Sequence, residues 1–313
     1  MLTKKFCGGN ASVMDGKKII FIGNSYTYYG QTVLEKSCSK LSQRERTGDK
    51  GYFYNLCKAN GAEAEVTNWT FGGHSLEHLF GGSCTANRGC DGCDHKAYLS
   101  EKYFDYVIFQ PGSGEASSKR FAEDAEYVIN FFKEANPNAK FALLVPYAAY
   151  GTIGSRIYFA KEFLNHLKDM ESRGVTVINW GGLVMDILNG KAKVEGSSLE
   201  YTKNTFVIKK SERDGFHPNQ LSGYITTLMT YCALTGASAV GQPYGFCNDP
   251  SLRPGGYGPK FFSFDGFITT YYTHDGATTN YPDVFASKAD MLGIQKLIDS
   301  HLAAKDHLDF NFE

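Results

Sequence analysis

The chain alternates short apolar runs with longer amphipathic stretches, and each kind of stretch predicts its own type of element. The first run, residues 19–22, holds four apolar residues in a row between a lysine pair and the tripeptide Gly-Asn-Ser at 23–25. A continuous apolar run bounded by turn residues is typical of a strand buried on both faces. Four later runs predict further strands at 65–70, 104–110, 140–145 and 174–179.

Between these runs, apolar residues recur at the spacing of a helix with one buried face. In the stretch 121–135, Phe121, Ala125 and Val128 fall on one side. The predicted helices span 28–42, 52–59, 76–80, 121–135, 157–170, 219–234 and 286–304. Strands that alternate with helices predict a parallel sheet covered by helices on both faces. The predicted fold class is therefore α/β, with a five-stranded parallel sheet.

This alternation divides the chain into three parts. Residues 1–16 precede the first strand, residues 17–239 form the α/β domain, and residues 240–313 form an extension that we expect to pack on the same domain. No repeat or low-complexity linker interrupts the central part of the sequence. Gly, Asn, Asp and Cys crowd residues 81–96, which we interpret as an inserted Cys-rich loop.

Composition narrows the function classes. Among the 313 residues, 42% are hydrophobic, which is enough for a sizeable core. Lys and Arg number 32 against 33 acidic residues, a balance that argues against a nucleic-acid partner. No apolar run approaches the roughly 20 residues that a membrane span needs. We therefore expect a small-molecule or glycan ligand; the sequence does not predict the oligomeric state.

The sequence leaves two cellular locations open. Residues 1–16 contain no apolar core of a signal peptide, so the protein is either cytoplasmic or exported with its leader already absent from this sequence. Eight cysteines, several of them in Gly-rich loops, favour the second alternative. We accordingly predict a secreted, periplasmic or cell-surface protein with some disulfide bonds.

The cysteines of the inserted loop suit two kinds of chemistry. The candidate groups are Cys84, Cys90, Cys93 and His95. As zinc ligands they would be of the right kind, but zinc sites usually show two regularly spaced pairs. As disulfides, two cysteines would pair locally and the third would reach Cys38 or Cys57. We favour disulfides and predict no metal, also at His74 and His78, whose helical spacing lacks a third ligand.

Polar residues capable of catalysis stand where the predicted strands end. Ser25, His74 and Gln110 follow shortly after the first three strands, and ligands of open parallel sheets bind at these carboxyl ends. Far downstream, Asp214 and His217 share a turn with Gly and Pro, just before a predicted helix. A carboxylate at that spacing can orient an imidazole, which leaves the other ring nitrogen to accept a serine proton.

Four sequence blocks together resemble those of the SGNH/GDSL hydrolases. They are Gly-Asn-Ser at 23–25, Gly-Gly-His-Ser-Leu at 72–76, Gln110 after the third strand, and Asp-Gly-Phe-His-Pro at 214–218. The closest likeness is a bacterial subgroup with these first and second blocks, and it spans about residues 17–236. The resemblance implies an α/β esterase or lipase with a flavodoxin-like three-layer α/β/α sandwich, which needs no cofactor.

The same resemblance assigns roles to individual residues. Ser25 would be the nucleophile, His217 the general base and Asp214 the group that orients His217. The oxyanion hole would consist of the Ser25 N–H, the Gly73 N–H and the side chain of Gln110. Here the chain departs from the family, whose third block supplies an asparagine; Gln110 offers the same amide donor on a side chain that is one methylene longer.

The expected reaction is hydrolysis of small acyl esters through an acyl-enzyme. Tyr, Trp, Asn and Gly dominate the irregular segments, and aromatic rings with polar tips suit a sugar surface, so we expect O-acetyl groups on carbohydrate. Asn24, Tyr26 and His74 are the candidate substrate contacts. The alternatives are a lipase or acyl-thioesterase of the same fold, and a glycan-binding protein that kept the fold without turnover.

Overall fold

A computed structural model describes the protein at residues 13–28, 33–34, 46–80, 95–112, 115, 121–147, 161–197, 199–207, 217–243, 271–274, 277–280 and 288–308. Its centre is a parallel sheet of five strands in the order β2-β1-β3-β4-β5. The strands are β1 (Lys18–Gly23), β2 (Glu65–Thr70), β3 (Tyr106–Phe109), β4 (Lys140–Leu144) and β5 (Thr176–Ile178). This strand order is the flavodoxin-like one, which confirms the predicted fold class.

The helices between and after these strands are α1 (Ser25–Tyr28), α2 (Tyr52–Ala59), α3 (Leu76–Phe80), α4 (His95–Ser100), α5 (Phe121–Ala135), α6 (Lys161–Ser172), α7 (Trp180–Leu188), α8 (Lys203–Phe206), α9 (Gln220–Thr235) and α10 (Lys288–Ala303). A separate antiparallel pair is formed by β6 (Tyr271–His274) and β7 (Ala277–Asn280). This hairpin lies in the segment of the tail for which the sequence predicts no regular element.

Each face of the sheet covers its own hydrophobic core, because side chains alternate between the two faces of a strand. On β1, Ile19 and Phe21 belong to the core that includes residues of α2, α7 and α9. Ile20 and Ile22 belong to the opposite core, with residues of α5 and α6. The apolar run at 19–22 is therefore buried on both sides, as the sequence predicts.

The strand order creates a switch point between β1 and β3. The chain leaves β1 toward β2 on one side, while β3 and β4 follow on the other side. In this class of sheet, the crevice at the switch point is where ligands bind. Ser25 follows β1 and Gln110 follows β3, so the fold brings these two candidate residues to the same crevice.

One predicted helix differs from the structure, and the prediction also lacks a helix that the structure contains. The predicted helix 28–42 is wrong at Val33 and Leu34, which form a bend. The carbonyl oxygen of Val33 accepts a hydrogen bond from Phe53 N at 3.2 Å. The neighbouring residues 29–32 and 35–45 lie outside the described residues. Helix α7 was not predicted, because it is apolar on nearly every side and follows β5 with only Asn179 between them.

The C-terminal helix α10 packs on the α/β domain through buried polar groups. The Gln295 amide donates to Tyr224 Oη at 2.9 Å and to the carbonyl of Gln242 at 2.7 Å. Asp299 accepts from Ala239 N at 2.6 Å, just after α9. Gly293 approaches residue 195 so closely that an added Cβ would lie 2.6 Å from its carbonyl oxygen. These contacts attach the end of the chain to the α9 side of the sheet.

The described cysteines are both free thiols. Cys57 and Cys232 are buried, and burial raises the pKa of Cys57 to about 12. The possibility that Cys57 forms a disulfide with the Cys-rich loop is therefore wrong. The other six cysteines, among them Cys38, Cys84, Cys90 and Cys93, lie outside the described residues. None of the helices in the described ranges is both long and apolar enough to cross a membrane.

Candidate active site

The turn after β1 places Ser25 at the first position of a short helix. The Asn24 side chain accepts from Tyr26 N at 3.0 Å, and the Asn24 carbonyl accepts from Thr27 N at 3.0 Å. Asparagine is a preferred residue at this position because its side chain satisfies a helical N–H that has no partner within the helix. The cap marks a sharp turn from β1 into α1, so Ser25 lies just beyond the end of the strand. The residue is 7% exposed.

Gly23 leaves room for Thr27 and Gln110 next to the end of β1. A Cβ at this position would lie 3.0 Å from Thr27 Oγ1 and 3.1 Å from Gln110 Cβ. Both distances are shorter than ordinary van der Waals contact. A glycine at 23 therefore lets the ends of β1 and β3 approach each other directly behind the serine.

His217 meets Ser25 from the other end of the domain. Its Nε2 lies 2.8 Å from Ser25 Oγ, a distance at which a neutral imidazole can accept the hydroxyl proton. The ring of Tyr26 lies beside it, with ring centroids 5.6 Å apart. The sequence predicts this serine–histidine pair, and the fold brings the two side chains together across 192 residues.

The backbone around His217 is fixed on its C-terminal side. Pro218 forms a bridge to Val207, and Asn219 caps α9 by accepting from Leu221 N at 3.0 Å and Ser222 N at 3.2 Å. The Asn219 amide also donates to Thr205 O at 2.8 Å. Asp214, the predicted partner of His217, lies outside the described residues, so its role stays a prediction.

The second block forms a turn beside the serine. Gly73 has φ +71°, a left-handed conformation that favours glycine. The carbonyl of the next residue, His74, accepts from Asn24 Nδ2 at 2.9 Å, which ties this turn to the first block. Within the described part of the chain, neither the Gly73 N–H nor the Ser25 N–H has a hydrogen-bond partner. These two donors are available to a ligand.

Gln110 is fully buried behind this arrangement. Its amide Nε2 donates to Asn24 Oδ1 at 2.8 Å and, at 3.3 Å, to the carbonyl of Pro111, while its Oε1 accepts from Thr27 Oγ1 at 2.5 Å. The prediction that Gln110 donates to an oxyanion is untested by this geometry.

The two histidines of the second block have local partners. His74 Nδ1 lies 2.9 Å from the carbonyl of Gly72. Ser75 and His78 form a reciprocal cap on α3, because Ser75 N donates to His78 Nδ1 and His78 N donates to Ser75 Oγ, both at 3.2 Å. No cluster of three or more potential metal ligands occurs among the described residues.

Two residues that contact this arrangement were not singled out from the sequence. They are Thr27, whose hydroxyl contacts Gln110, and Glu115, whose carboxylate contacts the second block. For Thr27, the only signal in the sequence is a hydroxyl residue two positions after Ser25, which is too common to predict a contact with Gln110. The contact of Glu115 with the second block has no local signal, because its partners there lie 38 and 39 residues away.

No protein-family model matches the chain, and no curated protein sequence matches it. Among solved structures, a DUF4886 family protein from Bacteroides uniformis ATCC 8492 is similar over 93% of this chain and 96% of its own, at 14% identity and a TM-score of 0.51. That likeness shows a shared fold.

Two further solved structures are similar over 71% of this chain. A candidate SGNH hydrolase from Slackia heliotrinireducens is 17% identical, with all of its own chain covered and a TM-score of 0.42. A catalytic mutant of an acetylxylan esterase from Geobacillus stearothermophilus is 15% identical, with 95% of its chain covered and a TM-score of 0.44. Both scores lie below 0.5, so neither likeness bears on the chemistry of this chain.

Proposed function

We propose that the chain is a serine hydrolase of small acyl esters, with Ser25 as nucleophile and His217 as general base. The observation that carries the proposal is the 2.8 Å contact between His217 Nε2 and Ser25 Oγ. It occurs at the switch point of the sheet, beside two N–H groups without protein partners in the described part of the chain. An ordinary strand–helix turn explains the Asn24 cap but gives no reason for the imidazole.

The first half of the reaction forms the acyl-enzyme. As Ser25 Oγ attacks the ester carbonyl carbon, its proton passes to His217 Nε2 and the carbonyl oxygen becomes an oxyanion. His217 then returns the proton to the alkoxide that leaves, so the alcohol departs neutral. In the second half, His217 takes a proton from water, the hydroxide attacks the acyl carbon, and Ser25 Oγ recovers its proton as the acid leaves.

The oxyanion has two donors in this proposal, the N–H groups of Ser25 and Gly73. The first belongs to the start of α1 and the second to the turn that Asn24 ties to the same helix. Removal of a single donor in comparable enzymes lowers kcat by about 10²- to 10³-fold. Asp214 is proposed to orient His217, so that Nε2 is the nitrogen without a proton.

The finer proposal is that the acyl group is acetyl and the alcohol a carbohydrate. Among the aromatic residues that motivate it, Tyr26 and Trp69 are buried at 5% and 2% exposure and belong to the core. Tyr28 is half-buried, and its hydroxyl lies 2.8 Å from where a Cβ on Gly72 would be. Tyr28 is therefore the described aromatic residue best placed to contact a sugar at the second block.

A phosphonylating serine probe and a short-chain nitrophenyl ester test the nucleophile. We expect the probe to label Ser25 and the protein to hydrolyse the ester, while Ser25→Ala loses both. The control is Ser172→Ala, which removes an exposed hydroxyl at the end of α6 and should retain labelling and turnover. Labelling elsewhere, or undiminished turnover in Ser25→Ala, would contradict the proposal. A wild-type protein that binds glycans without being labelled would instead favour the glycan-binding alternative.

The substrate class is tested by comparing kcat/KM for an acetylated xylose or glucose ester with that for an octanoyl ester. We expect the acetylated sugar to be preferred. A tenfold or larger preference for the octanoyl ester, about 1.4 kcal/mol in transition-state binding, would overturn the carbohydrate proposal and favour a lipase or thioesterase. Neither outcome affects the assignment of Ser25.

A further inference from the structure

The segment that follows β3 contacts residues 75–77, which come shortly after Gly73 and lead into α3. Gly112 and Glu115 make these contacts. Gly112 lies so close to Ser75 that an added Cβ would be 3.1 Å from its Cα. At that separation a side chain at 112 would force the second block away from β3, so a glycine there permits the contact.

Glu115 forms the strongest of these contacts. Its carboxylate accepts from Leu76 N at 2.9 Å, Glu77 N at 3.1 Å and Gly112 N at 2.6 Å, and the residue is 6% exposed. A buried carboxylate is costly unless it is hydrogen-bonded, and here backbone donors supply all the bonds. Among the described residues, no Lys, Arg or His pairs with it. Burial raises the pKa of the Glu115 carboxyl, and the three N–H groups oppose that rise.

Gln110 is linked to the turn that carries Gly73 through Asn24. The hydrogen bonds run in sequence from Thr27 Oγ1 to Gln110 Oε1, from Gln110 Nε2 to Asn24 Oδ1, and from Asn24 Nδ2 to the carbonyl of His74. These partners fix which way each side-chain amide is oriented. A reversed Gln110 amide would place its oxygen against Asn24 Oδ1, and a reversed Asn24 amide would place its oxygen against the carbonyl of His74. Gly73 directly precedes His74, which Asn24 holds, and it comes three residues before Leu76, which Glu115 holds.

We propose that Gln110 and Glu115 are positioning residues that together brace the Gly73 turn, Gln110 through Asn24 and Glu115 through the first residues of α3. This inference rests on the proposed function, since the braced N–H is the oxyanion donor. In this arrangement Gln110 does not touch the substrate. Its extra methylene, compared with the asparagine of the resembled family, lets its amide reach Asn24 Oδ1 while the side chain stays fully buried.

The test for Glu115 compares Glu115→Gln with Glu123→Gln. Glutamine at 115 has a single oxygen acceptor and an NH₂ group that faces backbone N–H donors, whereas Glu123 is exposed on α5 and undergoes the same chemical change. We expect Glu115→Gln to lower kcat by about 10²-fold with KM nearly unchanged, as for a displaced transition-state contact. Glu115→Asp keeps the charge with a shorter reach and serves if the glutamine variant does not fold.

A boronic acid that forms a tetrahedral adduct with Ser25 supplies a readout that a merely structural role would not change. We expect its affinity to fall in parallel with kcat/KM in Glu115→Gln, because adduct and transition state use the same N–H groups. The proposal is overturned if Glu115→Gln stays within twofold of wild type in kcat/KM, as Glu123→Gln should. It is also overturned if KM alone changes.

The role of Gln110 is tested by a double-mutant cycle with Asn24. Gln110→Met fills a similar volume without a donor, and Asn24→Ala removes the amide through which Gln110 is proposed to act. If Gln110 acts through Asn24, Gln110→Met lowers kcat/KM about 10²-fold in the wild type and adds less than threefold in Asn24→Ala. Equal losses in both backgrounds would show that Gln110 contacts the oxyanion itself. Thr27→Val removes only the hydroxyl that donates to Gln110 Oε1. It should lower kcat/KM less than Gln110→Met does, and again mainly in the presence of Asn24.

Failure of the proposed function looks different from failure of this inference. If the chain is not a serine hydrolase, the wild type shows neither probe labelling at Ser25 nor turnover, so neither the Glu115 variants nor the Gln110–Asn24 cycle can lose activity. If only the brace is wrong, the wild type is active and Ser25→Ala is inactive, while the Glu115 and Gln110 variants give one of the contradicting results above.

Discussion

The same capping arrangement follows β1 and β5, but the residue that comes after the cap differs in its role. Each strand ends at a buried asparagine, Asn24 or Asn179, whose side-chain oxygen accepts from a helical N–H at 3.0 Å. Each asparagine amide donates to the carbonyl of a distant residue, His74 at 2.9 Å or His307 at 2.8 Å. The residue after each asparagine then begins a helix.

The difference lies in what that next residue is and what it meets. After β1 it is Ser25, whose hydroxyl oxygen lies 2.8 Å from His217 Nε2. After β5 it is Trp180, which is fully buried and packs edge-on against Tyr147 at a centroid distance of 5.2 Å. The same backbone turn therefore supports a reactive hydroxyl at the switch point and a core side chain near the sheet edge. Position in the sheet, rather than the turn itself, separates the two outcomes.

The largest effect expected from this comparison concerns the two residues that follow the asparagines. Trp180→Ala should lower the free energy of unfolding by about 3–5 kcal/mol, since a fully buried indole is lost and a cavity remains. Ser25→Ala should change it by less than about 0.5 kcal/mol while abolishing hydrolysis. Chemical denaturation of both variants gives the two values. A loss of stability in Ser25→Ala as large as that in Trp180→Ala would break the distinction between site and core.

The second prediction concerns replacement of each asparagine by alanine. Asn24→Ala and Asn179→Ala each remove a helix cap, so each should lower the free energy of unfolding by about 1 kcal/mol. Only Asn24→Ala should also lower kcat/KM, by about 10²-fold, because it releases the Gly73 turn. Asn179→Ala should keep kcat/KM within about twofold of the wild type. Steady-state kinetics on both folded variants decide it, and equal kinetic losses would mean that the two turns are not functionally distinct.

The last prediction concerns a pH dependence at the β5 end, without any expected effect on the reaction. His301 bonds to the backbone of Asn179, and burial, together with His307, lowers its pKa from 6.5 to about 4. Because the unfolded chain binds the proton first, stability should fall as the pH drops from about 6.5 toward 4, by at most about 1.4 kcal/mol per pH unit. Above pH 6.5 both states are neutral at this residue and no effect is expected.

Unfolding midpoints measured between pH 7.5 and 4.5 check this dependence. His301→Gln cannot take up the proton and should show a flatter profile than the wild type over the same range. The Glu171 carboxylate lies 3.1 Å from His307 Nε2, so Glu171→Gln, which removes a neighbouring carboxylate, is the matched control. Parallel profiles for the wild type and His301→Gln would show that another group causes the acid sensitivity.

Local pattern determined much of the fold. The predicted bounds of β2, α2, α3 and α5 agree with the structure, since their apolar periodicity and flanking turn residues lie within the elements themselves. The bend at Val33 and Leu34 was missed because it depends on contact with α2, which begins at residue 52. Helix α7 was missed because a helix buried nearly all round shows little periodicity.

Turn residues after the apolar runs identify Ser25, Gly73 and Gln110 as candidates, and the Asp-Gly-Phe-His-Pro block before a helix identifies His217. How these residues meet depends on the packing of distant parts of the chain. The Ser25–His217 contact joins residues 192 positions apart, and the Gln110 amide meets Asn24 across 86 positions. Glu115 reaches the second block across 39. A hydrogen bond depends on the direction of both side chains, and that direction is set by the packing of strands and helices that no short stretch of sequence contains.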